Sequence, residues 1–256
     1  MDLTLIDAHA HLQFTQYDKD REEVIARMRE AGVGAINVGT DLKTSRQAVA
    51  LAEANDDLWA TIGIHPTDIP APGEEEANFL ELEKLSQHPR VVSVGECGLD
   101  FFHIKDENER KRQVEVFERH VELAKKVNKP LMIHCRDAYS ELLPILRRLQ
   151  PVASNIHFFA GGWSVAKQFL DLGSTLSFTG VITFTGDYDE VIQNMSLDRM
   201  LAETDCPFVA PEPFRGKRNE PTHVTYVANR LAELKGLEVP AMKDQLLANT
   251  RLSFGL

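Results

Sequence analysis

Short apolar runs alternate with longer amphipathic stretches from one end of the chain to the other. The short runs have the length and composition of buried strands, and they are Leu3–Asp7, Ala35–Gly39, Trp59–Ile64, Val91–Gly95, Leu131–His134, Asn155–Phe158, Thr175–Phe178 and Met200–Glu203. The longer stretches predict helices, among them Asp20–Ala31, Lys43–Ala54, Glu107–Val127, Ala138–Leu149, Pro221–Lys235 and a terminal helix near Val239–Ser253. The acidic run Glu74-Glu75-Glu76 is interpreted as the first turn of a further helix, where negative charge suits the helix dipole.

Strands that alternate with helices predict parallel strands joined by crossovers. Eight such units in 256 residues have the size of a closed (β/α)₈ TIM barrel, so we predict this α/β fold as a single domain over residues 1–256. A doubly wound open sheet is the competing fold. It would usually carry a G-x-G-x-x-G turn after its first strand, whereas this chain has Asp7-Ala8-His9-Ala10-His11 there.

Composition and charge narrow the class of protein. The chain is 43% hydrophobic and 26% charged, as ordinary globular proteins are. It has no apolar run long enough to cross a membrane and no signal-peptide pattern at its start, so we predict no membrane association and a cytoplasmic location. Cys97, Cys135 and Cys206 lack CxxC spacing and are expected to be reduced and buried. The sequence leaves the oligomeric state open, and a monomer is compatible with it.

The net charge of −11 argues against attraction of nucleic acid to the whole surface. It does not exclude a nucleic-acid substrate, because metal ions and a local basic loop can reverse the potential inside one cleft.

Histidines and carboxylates recur where the predicted strands end, which in a TIM barrel is where active sites lie. They are His9, His11, His65, Glu96, His134, His157 and Asp205. His9 and His11 can converge on one ion, because residues i and i+2 of a strand point to the same face. Each residue alone has an ordinary alternative, such as a buried core histidine, a loop histidine or a helix cap. Their coincidence at one end of a barrel predicts a metal site there.

At this point the sequence resembles the TatD-type deoxyribonucleases, a branch of the metal-dependent amidohydrolase-like barrels. The similarity covers nearly the whole chain and rests on Asp7–Leu12, Gly63–Pro66, Gly95–Asp100, His134–Ala138, His157–Phe159, Glu203–Pro207 and Phe214–Pro221. It implies a metal role for His9, His11, Glu96, His134, His157 and Asp205, with Glu96 bridging two ions. One departure follows His157: relatives often have Cys or Ser, then Phe, then Thr or Ser, whereas this chain has Phe158, Phe159 and Ala160.

The resemblance implies a cofactor of two divalent ions, and the mixed nitrogen and oxygen donors suit magnesium, zinc or manganese. Water activated there would attack the substrate, with Asp205 as general base. We expect Arg215 and Lys217, in the basic loop Arg215-Gly216-Lys217-Arg218, to face the site and bind phosphates. A solvated loop is the alternative. His65 and Arg136 are further candidates for phosphate contacts.

Three functions compete at this stage. The first is a 3′→5′ exonuclease or related phosphodiesterase acting on DNA, with single-stranded DNA or 3′ ends as the substrate. The second is a metal-dependent hydrolase of a small-molecule amide or ester, including an aminoacyl ester on RNA. The third is a non-catalytic binding barrel, which the complete set of ligand candidates argues against.

Overall fold

The protein, described here by a computed structural model over residues 3–256, forms a single eight-stranded parallel sheet with helices packed around it. Neighbouring strands follow the chain order, and the first strand also contacts the last. The predicted (β/α)₈ barrel is therefore confirmed. The strands are β1 Leu5–Ala10, β2 Val33–Val38, β3 Leu58–Ile62, β4 Val91–Asp100, β5 Leu131–Arg136, β6 Ser154–Ile156, β7 Thr175–Phe178 and β8 Met200–Ala202.

Helices follow the strands and shield the barrel from solvent. They are α1 Arg21–Glu30, α2 Leu42–Ala54, α3 Glu75–Leu85, α4 Glu107–Val127, α5 Tyr139–Leu149, α6 Trp163–Asp171, α7 Asp189–Asn194, α8 Val224–Lys235 and α9 Val239–Phe254. Short 3₁₀ turns lie at Thr15–Tyr17, Gly180–Thr183, Leu197–Arg199 and Pro221–His223. The acidic run opens α3 as predicted. No helix within residues 3–256 is long and apolar enough to cross a membrane.

The barrel closes between β1 and the segment that follows β8. The backbone N–H of His11 donates to the Cys206 carbonyl, and the N–H of Asp205 donates to the His9 carbonyl, both at 2.9 Å. The buried Asp7 carboxylate accepts from the Thr204 N–H at 2.8 Å and from the Thr204 hydroxyl. This seam brings the two ends of the sheet together at the positions of the candidate metal ligands.

Two strands extend further than the sequence pattern predicts. β1 runs from Leu5 to Ala10 and β4 from Val91 to Asp100, so His9 and Glu96 lie within strands and not beyond their ends. Both strands have irregular register at these residues, between Asp7 and Ala10 and between Val94 and Cys97. Such bulges re-aim a side chain without ending the strand. A simple alternation pattern therefore places the ends too early.

Glycines allow the irregular part of β4 to approach β5 closely. Gly95 and Gly98 both have φ of +141°. A Cβ at Gly95 would lie 2.2 Å from the Met132 carbonyl oxygen, and one at Gly98 would lie 1.9 Å from that of His134. Only glycine fits these positions, which fix the backbone on either side of Glu96. The three cysteines are free and buried, as expected.

His120 connects α4 to the end of β3. It is fully buried and packs against the Phe79 ring at 4.7 Å between centroids. Its Nε2 accepts from the Ile64 N–H at 3.0 Å, so in the neutral ring Nδ1 carries the proton and donates to the Val116 carbonyl at 2.8 Å. Burial lowers the pKa of His120 to about 4. The fold therefore requires this ring to be neutral.

This requirement predicts a specific loss of stability in acid. The pKa of His120 is depressed in the folded state, so its contribution is complete above the unfolded value near 6.5 and is lost as the pH falls towards about 4. The loss should reach about 3 kcal/mol of unfolding free energy. Urea unfolding of chelated wild type and His120→Gln, between pH 7.5 and 4, should show the smaller acid loss in the variant. Parallel curves for the two proteins would contradict the assignment.

Candidate metal centre

The Glu96 carboxylate lies at the centre of the histidine cluster, and its Oε2 faces the residues of the barrel seam. His9 Nε2 is 3.4 Å and His11 Nε2 3.8 Å from this oxygen. The two Nε2 atoms are 3.1 Å apart. Asp205 Oδ1 completes the group, at 3.3 Å from His11 Nε2 and 3.7 Å from His9 Nε2. These four side chains surround a volume in which a cation could be held.

The other oxygen of Glu96, Oε1, faces a second group of histidines. His157 Nε2 is 2.9 Å away, His134 Nδ1 3.2 Å and His65 Nε2 3.4 Å. One carboxylate therefore points its two oxygens at two sets of donors. This is the arrangement that a carboxylate bridging two metal ions requires. Six predicted ligands and His65 are all brought together, although the sequence separates them by almost 200 positions.

Groups behind the histidines fix which ring nitrogen carries the proton. Three rings have an acceptor on the side away from Glu96: the Val38 carbonyl at 2.8 Å from His11 Nδ1, Asp100 Oδ2 at 3.2 Å from His134 Nε2, and Glu203 Oε1 at 3.4 Å from His157 Nδ1. The last contact has an ion-pair distance without hydrogen-bond geometry. In a neutral ring the nitrogen facing Glu96 then bears a lone pair. Lone pairs facing a carboxylate repel it unless a proton or a metal cation lies between them.

His65 differs from the other histidines of the cluster. Its Nδ1 accepts from the Thr67 N–H at 3.2 Å and is 2.7 Å from the Thr67 hydroxyl. This places the proton of the neutral ring on Nε2, which faces Glu96 and the cleft. Burial lowers the pKa of His65 to about 3, so the ring stays neutral. By distance alone His65 could join a metal group with Glu96 and His134, but its tautomer suits a hydrogen-bond donor.

The pKa shifts of the buried carboxylates indicate which of them carry negative charge. Burial opposes ionisation of Glu96, yet the nearby imidazoles, His157 first among them, hold its pKa well below the ordinary value. Burial also opposes ionisation of Asp205, and the contact with His11 lowers its pKa. Asp7, which lies behind them in the seam, has its pKa raised well above the ordinary value by burial. The carboxylates that face the histidines are therefore the ionised ones.

A cleft of about 980 Å³ opens above this cluster. Phe14 and Phe208 line it on the side of Asp205, and the Phe14 ring stacks on His11 at 4.5 Å between centroids. Phe208 is 46% exposed, which leaves its ring accessible to a ligand. On the opposite side lies Arg136, the sole Lys or Arg among the described residues of the lining. Its guanidinium is 4.0 Å from the centroid of the exposed Phe102 ring.

Arg215 and Lys217 are not among the residues that line the cleft, and phosphate binding by them stays a prediction. The Arg215 guanidinium lies over Phe184, 4.0 Å from its centroid, and the Lys217 ammonium lies 5.9 Å from that of Phe214. At the end of the loop, Arg218 pairs with Asp20. Both Arg215 and Lys217 are exposed to solvent outside the cleft.

The residues that orient the cluster were missed from the sequence. Asp100 and Glu203 are buried carboxylates that each face a histidine from behind. Both lie in segments that carry the family resemblance, Gly95–Asp100 and Glu203–Pro207, so a signal was present. His103 also belongs to this region, although the sequence pattern assigns it no role. Its Nδ1 is 2.7 Å from Asp100 Oδ2, and it lines the cleft.

Comparison with known proteins gives a consistent result. A family model described as "TatD related DNase" matches residues 6–255. A Bacillus subtilis (strain 168) protein named "Uncharacterized metal-dependent hydrolase YabD" is 43% identical over 98% of both chains. An Erwinia amylovora protein named "3'-5' ssDNA/RNA exonuclease TatD" is 33% identical over 98% of this chain and 100% of that one. The solved structure of YJJV, a TatD homolog from Escherichia coli K12, has a TM-score of 0.91 at 28% identity and covers 100% of both chains.

Proposed function

Because the chain belongs to the TatD related DNase family, we propose that this metal-dependent hydrolase removes nucleotides from the 3′ ends of single-stranded DNA or RNA. The observation that carries the proposal is the set of histidine nitrogens that face both oxygens of the buried Glu96 carboxylate. This donor set fits divalent cations, which would compensate the buried carboxylate in place of protonated imidazoles. The relative named as a 3′-5′ ssDNA/RNA exonuclease supports the substrate class.

Two metal ions would be held on either side of Glu96. His9, His11 and Asp205 would bind the first, and His134 and His157 the second. When bound, divalent ions lower the pKa of water and neutralise charge on a phosphoryl oxygen. The mixture of imidazole and carboxylate donors suits zinc, manganese or magnesium. The buried carboxylates Asp100 and Glu203 would keep the second pair of histidines in the required tautomer.

Asp205 is the proposed general base. Its side chain is 13% exposed, whereas that of Glu96 is 4% exposed. It can therefore reach a water molecule in the cleft while it still contacts His11. Accepting the proton of the attacking water as the phosphorus–oxygen bond forms would lower the barrier to hydrolysis.

The walls of the cleft suit an unpaired nucleotide. His65 presents an N–H donor and Arg136 a guanidinium, and both can hold a phosphate. Phe14 and Phe208 offer ring faces on the other side, and a base freed from a duplex can stack on them. The proposed substrate is therefore a flexible strand end whose terminal base enters the cleft.

The first prediction concerns metal stoichiometry. With excess ion, the protein should bind more than one equivalent of divalent metal, because the two Glu96 oxygens and one atom from each of five facing side chains make seven donors, more than one tetrahedral ion needs. Glu96→Gln should lower the affinity at both positions, since the amide cannot bridge as an anion. Calorimetric titration with elemental analysis of the dialysed samples measures this. A single-site isotherm for the wild type would contradict the bridging role.

A second prediction separates the general base from the histidine ligands. Asp205→Asn should keep much of the metal but lose about 10²–10⁴-fold in single-turnover rate, because an amide cannot accept the proton from water. His9→Ala or His11→Ala should lose metal and activity together. Rate and metal content must be measured on the same preparations. A metal-replete Asp205→Asn that cleaves near the wild-type rate would show that another group takes the proton.

A third prediction tests the substrate class by removing cationic side chains inside and outside the cleft. Arg136→Ala should lower kcat/KM for a dinucleotide at least about tenfold, as charge-assisted contacts contribute on the order of 1.5–3 kcal/mol. The same variant should leave a neutral carboxylic ester unaffected. Arg215→Ala with Lys217→Ala is the matched control, and it should change only the turnover of longer strands. Preferential wild-type turnover of esters or amides over all phosphodiesters would favour the small-molecule hydrolase instead.

A further inference from the structure

We propose that His103 is a catalytic general acid that donates a proton to the sugar oxygen leaving the phosphorus. This inference rests on the proposed phosphodiesterase function and deepens it, because that function so far provides a base for the attacking water but no acid for the leaving group. The evidence is the geometry of a buried carboxylate and an exposed imidazole beside the metal centre.

Asp100 holds the His103 ring in one orientation. Asp100 Oδ2 is 2.7 Å from His103 Nδ1, and Asp100 Oδ1 accepts from the His103 backbone N–H at 2.8 Å. The Asp100 side chain is 1% exposed, whereas that of His103 is 52% exposed. The Phe102 ring meets the imidazole edge-on, at 4.9 Å and 88°. With Nδ1 bound to the carboxylate, Nε2 lies on the opposite side of the ring and is available to a ligand.

The same carboxylate connects His103 to the metal centre. Asp100 Oδ2 also lies 3.2 Å from His134 Nε2, and His134 Nδ1 faces Glu96 Oε1. His103 therefore stands beside the second group of donors, and it lines the same cleft. Asp205 belongs to the first group, across Glu96. A proton acceptor and a proton donor thus flank the position proposed for the phosphate, as an in-line displacement requires.

The proposed step balances in atoms and charge. The water oxygen forms a bond to phosphorus while its proton passes to Asp205. The bond from phosphorus to the sugar oxygen breaks, and the proton on His103 Nε2 passes to that oxygen. Of the two other nitrogen donors proposed to hold the phosphate, Arg136 cannot serve, because a guanidinium does not release its proton. Neutral His65 cannot serve either, because the loss of its proton would leave an imidazolate anion. Proton donation to a strongly basic sugar oxygen is typically worth about 10²–10⁴-fold in rate.

The test varies the basicity of the leaving group. His103→Asn keeps an amide N–H that can reach Asp100 but has no proton to transfer. Each protein is assayed on two substrates, a thymidine dinucleotide and the 4-nitrophenyl ester of thymidine 5′-phosphate. The sugar oxygen of the dinucleotide needs a proton to leave, whereas nitrophenolate leaves without one. His88→Asn is the matched control, because His88 lies in the loop before β4, at the opposite end of the barrel. Metal content and the midpoint of thermal unfolding are measured on every sample.

We expect His103→Asn to lose about 10²-fold or more on the dinucleotide and little on the nitrophenyl ester. Metal content and unfolding should match those of the wild type and His88→Asn. Equal losses on both substrates would overturn the proposal and assign His103 to phosphate binding or to loop structure, and unchanged turnover of the dinucleotide would also overturn it. If the wild type cleaves neither diester while it hydrolyses an ester or amide, the proposed function fails and this inference fails with it.

Discussion

Burial of the Glu96 carboxylate among imidazoles is the constraint on which the rest of this site depends. A buried charge costs several kcal/mol unless partners compensate it. Here the surrounding nitrogens face both oxygens at 2.9–3.8 Å, and the acceptors behind three of the rings direct lone pairs inwards. Neutral histidines in those tautomers cannot stabilise the anion, so without an ion the imidazoles must carry protons to hold the pKa of Glu96 low. Divalent cations would compensate both kinds of group at once, and the cluster is organised as if around them.

The barrel supplies this arrangement through its irregularities. Regular parallel strands would alternate their side chains between the lumen and the helices. The bulges in β1 and β4 interrupt that alternation where His9 and Glu96 must point into the mouth of the barrel. The seam between β1 and the segment after β8 then fixes Asp205 against His9 and His11. Metal binding would draw the same elements together, so the site and the closure of the barrel are expected to stabilise each other.

Much of this could be predicted from the sequence, and the exceptions have physical causes. Alternating apolar runs and helices predict the barrel, and polar residues after those runs predict the cluster. The predicted ends of β1 and β4 were too early, because a bulge interrupts the regular alternation of side chains on which the prediction relies. The absence of Arg215 and Lys217 from the cleft lining could not be predicted, because proximity in sequence to Asp205 does not reveal that Arg218 pairs with Asp20. The roles of Asp100 and Glu203 depend on contacts between segments that are far apart in sequence, so the motifs that contain them do not reveal which histidine each one faces.

The absence of Arg215 and Lys217 from the cleft lining also bears on how a protein of net charge −11 would bind nucleic acid. Proteins that track along a strand line it with many lysines and arginines, and their affinity falls steeply with salt. Among the described residues that line this cleft, Arg136 is the sole lysine or arginine. The rest of the lining includes aromatic rings and the candidate metal ligands. Affinity would then come from short-range contacts to one or two nucleotides. Such a site suits recognition of a strand end more than of a continuous tract, because only an end can place its terminal base among Phe14, Phe208 and the metal ligands.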